Sequence, residues 1–111
     1  MFSVHIDNKA NELGDLAYAF MKKRSQLCEM LCSGREVITS APSFAAVLSS
    51  LKSTEWHRTV EREAPVRVYN TLLELIEMLC ALPYNEREAA ALRALSILYK
   101  IKEESPHPPY C

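Results

Sequence analysis

A chain of 111 residues, 49% hydrophobic and 24% charged, has the composition of one globular domain and not of a disordered segment. Thirteen Lys and Arg stand against fourteen Asp and Glu, a net charge of -1, so the positive excess used in binding phosphate backbones is absent. Only two glycines interrupt it, and its apolar residues are rich in Leu and Ala, which favours helices.

In chain order, Phe2, Val4 and Ile6 alternate with Ser3 and His5, a period of two that reads as an extended N-terminal arm. Asp7 or Asn8 then caps a long first helix running to about Ser33, with Gly34 as its stop. Leu13, Leu16, Ala17, Phe20, Leu27, Cys28 and Leu31 recur along it at helical spacing. Such a helix spans about 38 Å. A compact chain of this length has a radius of gyration near 13 Å, so the helix should overhang the globule. A second copy covering the overhang gives a homodimer whose interface is Leu13, Leu16, Phe20, Leu27 and Leu31.

Pro42 suits the first turn of a short helix holding Phe44, Val47, Leu48 and Leu51, and Ser53 or Thr54 caps another through Trp56, Val60 and Glu63. Ala64-Pro65 breaks the pattern and restarts it. From Leu72 to Leu82 the chain is apolar around most of a helix, which reads as a central helix. Pro83-Tyr84-Asn85 turns the chain, and Asn85 with Glu88 resembles a capping box for a last helix, completing an antiparallel C-terminal hairpin. The expectation is an all-α domain over residues 1–104 with four to five helices, followed by an extended tail over 105–111.

The N-terminus has neither the basic start nor the apolar run of a signal peptide. The longest charge-free stretch, Val37–Leu51, is broken by Ser, Thr and Pro and falls short of the roughly 20 apolar residues of a membrane span. A cytoplasmic protein with no membrane partner and free thiols is expected.

Catalytic and metal chemistry find few residues to use. Cys28 and Cys32 share a helical face and could begin a zinc site with Cys80, His5 or His57, yet no second short-spaced pair completes it, so core packing is the expectation. His57 reads as a helix-surface residue, and Glu74 with Glu77 as a solvent stripe. No catalytic residue, metal or cofactor is expected. Residues 43–63 have the outline of a helix-turn-helix, but the second helix sets Arg58 and Arg62 against Glu55, Glu61 and Glu63, a poor fit to a DNA groove. Pro106 and Pro109 have polyproline-ligand spacing but read as a helix stop.

The helical interaction protein that this describes resembles, in outline, the small helical antiactivators of LuxR-type quorum-sensing regulators (TraM-like and QslA-like). Size, the long helix over Ala10–Ser33, the Pro65–Glu104 hairpin and the arm over Met1–Ile6 carry the resemblance, and no functional residue is carried across with it. It implies a dimeric protein that binds a transcription factor and blocks its dimerisation or DNA contact. A small helix-turn-helix regulator and a phage- or secretion-type adaptor are the alternatives. The partner surface is expected on the arm, at Phe2, Val4 and Ile6, with Trp56 and Tyr69 as further aromatic candidates, although Trp56 taken alone reads as a core residue.

Overall fold

The computed structural model describes residues 2–100, and the side chains from Val4 onward; the expected tail over 105–111 lies outside the described residues. Six helices are present among these residues: α1 (Phe2–Phe20), α2 (Ser25–Ser40), α3 (Phe44–Lys52), α4 (Glu55–Glu63), α5 (Val66–Cys80) and α6 (Tyr84–Leu98). The all-α expectation holds, with more helices than the four to five expected. None is long and apolar enough to cross a membrane.

No extended arm is found where Phe2, Val4 and Ile6 alternate: α1 begins at Phe2. Ile6 is 2% exposed and opens a buried stripe with Ala10, Leu13 and Ala17, spaced four, three and four apart as one helix face requires. Val4 lies on the outside. Asp7 is not a cap; its carboxylate accepts from Arg93 of α6 at 2.7–2.9 Å. On the other flank Lys9 pairs with Glu74 of α5 at 3.4 Å. Thus α1 packs against both α5 and α6, and these exposed pairs mark its two edges, each contributing at most about 1 kcal/mol.

The long helix expected to run to Ser33 breaks at Met21–Arg24, and α2 continues past Gly34 to Ser40. Neither Gly nor Pro causes the break. It turns Leu27, Met30, Leu31 and Ile38 of α2 back onto the chain's own core. Burying four such side chains gains roughly 6–12 kcal/mol. The few helical hydrogen bonds forgone between the helices are worth about 1 kcal/mol each, so burial wins. Arg24 softens the cost by donating Nη1 to the Met21 carbonyl at 2.7 Å. With the overhang gone, the Cα radius of gyration is 12.7 Å. Gly34 is a contact glycine and not a stop: a Cβ there would lie 2.6 Å from Leu51 Cδ2 of α3.

The C-terminal hairpin is looser than expected. A short turn joins α5 to α6, but the two touch sparsely; α5 lies mainly on α1, and α6 on α1 and α2. No capping box forms at Asn85, since α6 starts at Tyr84 after Pro83. Arg87 fills the corner instead. Only 5% exposed, its guanidinium donates to four backbone carbonyls: Ile38 (3.3 Å) and Ala41 (2.7 Å) at the end of α2, and Cys80 and Leu82 (2.8 Å each) at the end of α5. Two helix C-termini carry roughly half a negative charge each, which together match one guanidinium. The Tyr84 ring lies 4.4 Å from its Cζ.

Two expected outcomes test this fold. Ile6→Ala should lower the unfolding free energy by about 2–4 kcal/mol and Val4→Ala by under about 0.5 kcal/mol in urea titrations; equal, small effects would restore a frayed arm. Arg87→Met should cost about 3 kcal/mol, because buried carbonyls lose charged donors, and Arg87→Lys should recover less than half, because one ammonium cannot serve two helix ends.

Candidate partner-binding surface

The nine-residue helix α4 has only two buried side chains, His57 and Val60. Thr54 caps it by accepting from the His57 N–H at 3.1 Å, while its hydroxyl donates to the Leu51 carbonyl at 2.6 Å and so ties α4 to α3. His57, expected on the helix surface, is 1% exposed. Its Nε2 lies 2.9 Å from the Tyr69 hydroxyl of α5, with the rings edge to face, centroids 5.7 Å apart. The same hydroxyl donates to Glu61 Oε2 at 3.3 Å. When Tyr69 donates to Glu61, the imidazole donates Nε2–H to Tyr69, and the three groups form a chain from the interior to solvent.

Burial lowers the His57 pKa below its ordinary value, with Glu61 pulling it up and Lys52 pushing it down. Burial also raises the Tyr69 phenol, reinforced by Glu61. The imidazole is therefore a neutral packing and hydrogen-bonding group near pH 7.

Beside it, Trp56 projects from α4 with 44% of its surface exposed. A large aromatic left in water on a helix fixed by a cap, a buried histidine and a buried valine has the form of a recognition contact. Of the other expected partner residues, Tyr69 joins His57 across the α4–α5 contact, Val4 is exposed at the far end of the chain, Ile6 is in the core, and the side chain of Phe2 lies outside the described ones. The expected dimer interface is corrected too. Leu13, Leu27 and Leu31 are buried in the chain's own core, and Leu16 packs against it, leaving Phe20 alone at the surface. They are spent within one chain because the first helix folds back.

Burial pushes the Cys80 thiol up, against a downward pull from Arg87, which is the opposite of nucleophile activation. Cys28 and Cys80 are not in disulfides, whereas Cys32 is disulfide-bonded, a correction to the expectation of free thiols throughout. No group of three His, Cys, Asp or Glu suited to a metal ion occurs among the described residues. The helices α3 and α4 do follow one another across a tight turn, but α4 presents Glu55, Glu61 and Glu63 beside Arg58 and Arg62. No protein-family model matches the chain, and no curated protein or solved structure matches it either.

The buried histidine sets a pH dependence. The unfolded imidazole takes its proton near pH 6.5, and the folded one only at lower pH. Its contribution to stability is complete above that value and is lost as pH falls below it toward the folded pKa, by at most about 1.4 kcal/mol per pH unit. Melting of His57→Gln should be less pH-dependent than that of the native chain between pH 7 and 5; parallel curves would show that His57 is not the titrating group.

Proposed function

We propose that this is a non-enzymatic helical protein-binding regulator and that the outer face of α4, with Trp56 at its centre, receives the partner. The observation that carries the reading is the exposure of Trp56 on a short helix whose inner side is pinned by His57 and Val60. The pinning removes ordering cost from binding, and the indole supplies the apolar area that dominates interface energies. The raised pKa of the Cys80 thiol removes one candidate nucleophile.

The partner proposed is a transcription factor, masked as the LuxR-type antiactivators mask theirs. Two of the features behind that resemblance, the arm and the unbroken long helix, are not features of this fold, so the regulator reading rests on the Trp56 face. Trp56 is the single tryptophan, which makes its emission a direct probe. Titration with a purified LuxR-type regulator should shift the emission to the blue and release the regulator from its DNA. Trp56→Ala should weaken the complex at least about tenfold while leaving the unfolding midpoint in place. An unchanged spectrum with the regulator still on its DNA would contradict the proposal, and salt-dependent binding of duplex DNA by this chain itself would favour the helix-turn-helix alternative.

A further inference from the structure

We propose that the end of the bundle where the α1–α2 linker meets the α4–α5 junction docks end-on onto an anionic lipid bilayer. Two segments distant in sequence are brought together there: Gln26 Nε2 donates to Glu63 Oε2 at 2.9 Å. Gln26 is itself one turn from the linker, its N–H bonded to the Lys23 carbonyl at 3.2 Å. The end of the linker thereby adjoins Glu63, and residues 18–24 and 62–67 are the segments that lead into this contact. They hold five basic residues (Lys22, Lys23, Arg24, Arg62 and Arg67) against one acidic residue, Glu63, in a chain whose net charge is -1. Glu63 is occupied by Gln26 and lies 3.9 Å from Arg62. Asp15 and Glu61 flank the corner on the sequence side of each segment.

The same short segments carry three of the large apolar side chains that the fold leaves exposed: Tyr18, Phe20 and Val66, the last at 75%. Phe20 is the final residue of α1 and Val66 the first of α5, so both sit at helix ends. Tyr18 and Phe20, two apart, lie on opposite sides of the last turn of α1. The Arg24 guanidinium stacks on Tyr18 with its Cζ 5.0 Å from the ring centroid. One cation beside the C-terminus of α1 is explained by the helix dipole, but that does not account for Arg67 or for an exposed Val66.

Exposed apolar side chains at two helix ends, interleaved with cations, suit a soft surface that can follow an irregular contour. An acidic protein would need a matching cavity. In a bilayer, Phe20, Val66 and the Tyr18 ring enter the headgroup boundary while Lys22, Lys23, Arg62 and Arg67 meet anionic headgroups. Docking of this kind lies on the membrane and does not span it, so it departs from the expectation of no membrane partner, which rested on the lack of a spanning segment. It is independent of the Trp56 reading, so either can fail alone.

The test is sedimentation of the full chain with vesicles of phosphatidylcholine alone and of an equimolar phosphatidylcholine–phosphatidylserine mixture. Binding is expected to the mixed vesicles, to weaken as salt is raised, and to be slight on phosphatidylcholine. Each cation near the surface is worth about fivefold, so the double variant Lys22→Glu/Lys23→Glu should lose at least about tenfold. Val66→Asp should also lose binding, and its fold is safeguarded because an acidic residue in a first helical turn is favourable. Leu92→Asp, on the exposed part of α6, should bind like the native chain. Absence from the mixed vesicles, equal binding by the corner variants, or binding to polyglutamate but not to vesicles would overturn the proposal.

Discussion

One buried guanidinium sets the arrangement of half of this molecule. Helices α2 and α5 both end in the interior corner beneath α6, and a helix end brings orphan carbonyls that water would otherwise satisfy. Arg87 brings donors to both ends at once, so the helices terminate against each other without an unpaired carbonyl at that point. The opposing charge is supplied by peptide dipoles and not by a carboxylate, which spares the fold the desolvation of a second ion. Because the donor is on the first turn of α6, seating Arg87 also fixes where α6 begins. Tyr84 shields the outer face of the guanidinium.

A second buried polar group, His57, solves a similar problem at smaller scale. A nine-residue helix cannot present a wide apolar stripe, and α4 compensates with a histidine whose ring packs edge-on against Tyr69 while its nitrogen is satisfied by the same residue. Polar groups so used leave the rest of α4 open to solvent. That division, an inner side held by His57 and Val60 and an outer side holding Trp56, gives the proposed recognition face its rigidity. The two sites also differ in what can change them. Arginine keeps its charge at any physiological pH, whereas histidine does not, so the corner under α6 is fixed and the seat of α4 responds to acid.

Much of the helical framework was legible from the sequence. Periodicity located α3 through α6, and the caps at Thr54 and the stop before Pro65 fell where residue chemistry put them. What was illegible depended on contacts far along the chain. The break at Met21–Arg24 has no Gly or Pro to mark it; it follows from where Leu27, Met30, Leu31 and Ile38 find a core. Ile6 gave a period of two only because Phe2, Val4 and Ile6 are too few to separate a strand from the start of a helix. Gly34 looked like a helix stop, yet its use is the approach of Leu51. His57 read as surface because its partner Tyr69 lies on the next helix. Arg87 carried no signal whatever, since its partners are main-chain carbonyls that any residue provides. Of the candidate site, Trp56 and Tyr69 were visible as aromatics on short helical patterns; the histidine between them was not.

The most direct test of the account is the side-chain Nε–H of Arg87, observed by nitrogen-15 NMR at neutral pH. The bond to the Leu82 carbonyl, in a corner closed to water, predicts a resonance whose hydrogen exchanges far more slowly than those of exposed arginines such as Arg62, and which appears and disappears with the global fold. Exchange at the rate of the exposed arginines would mean that the guanidinium is in water and that something else holds the ends of α2 and α5 together.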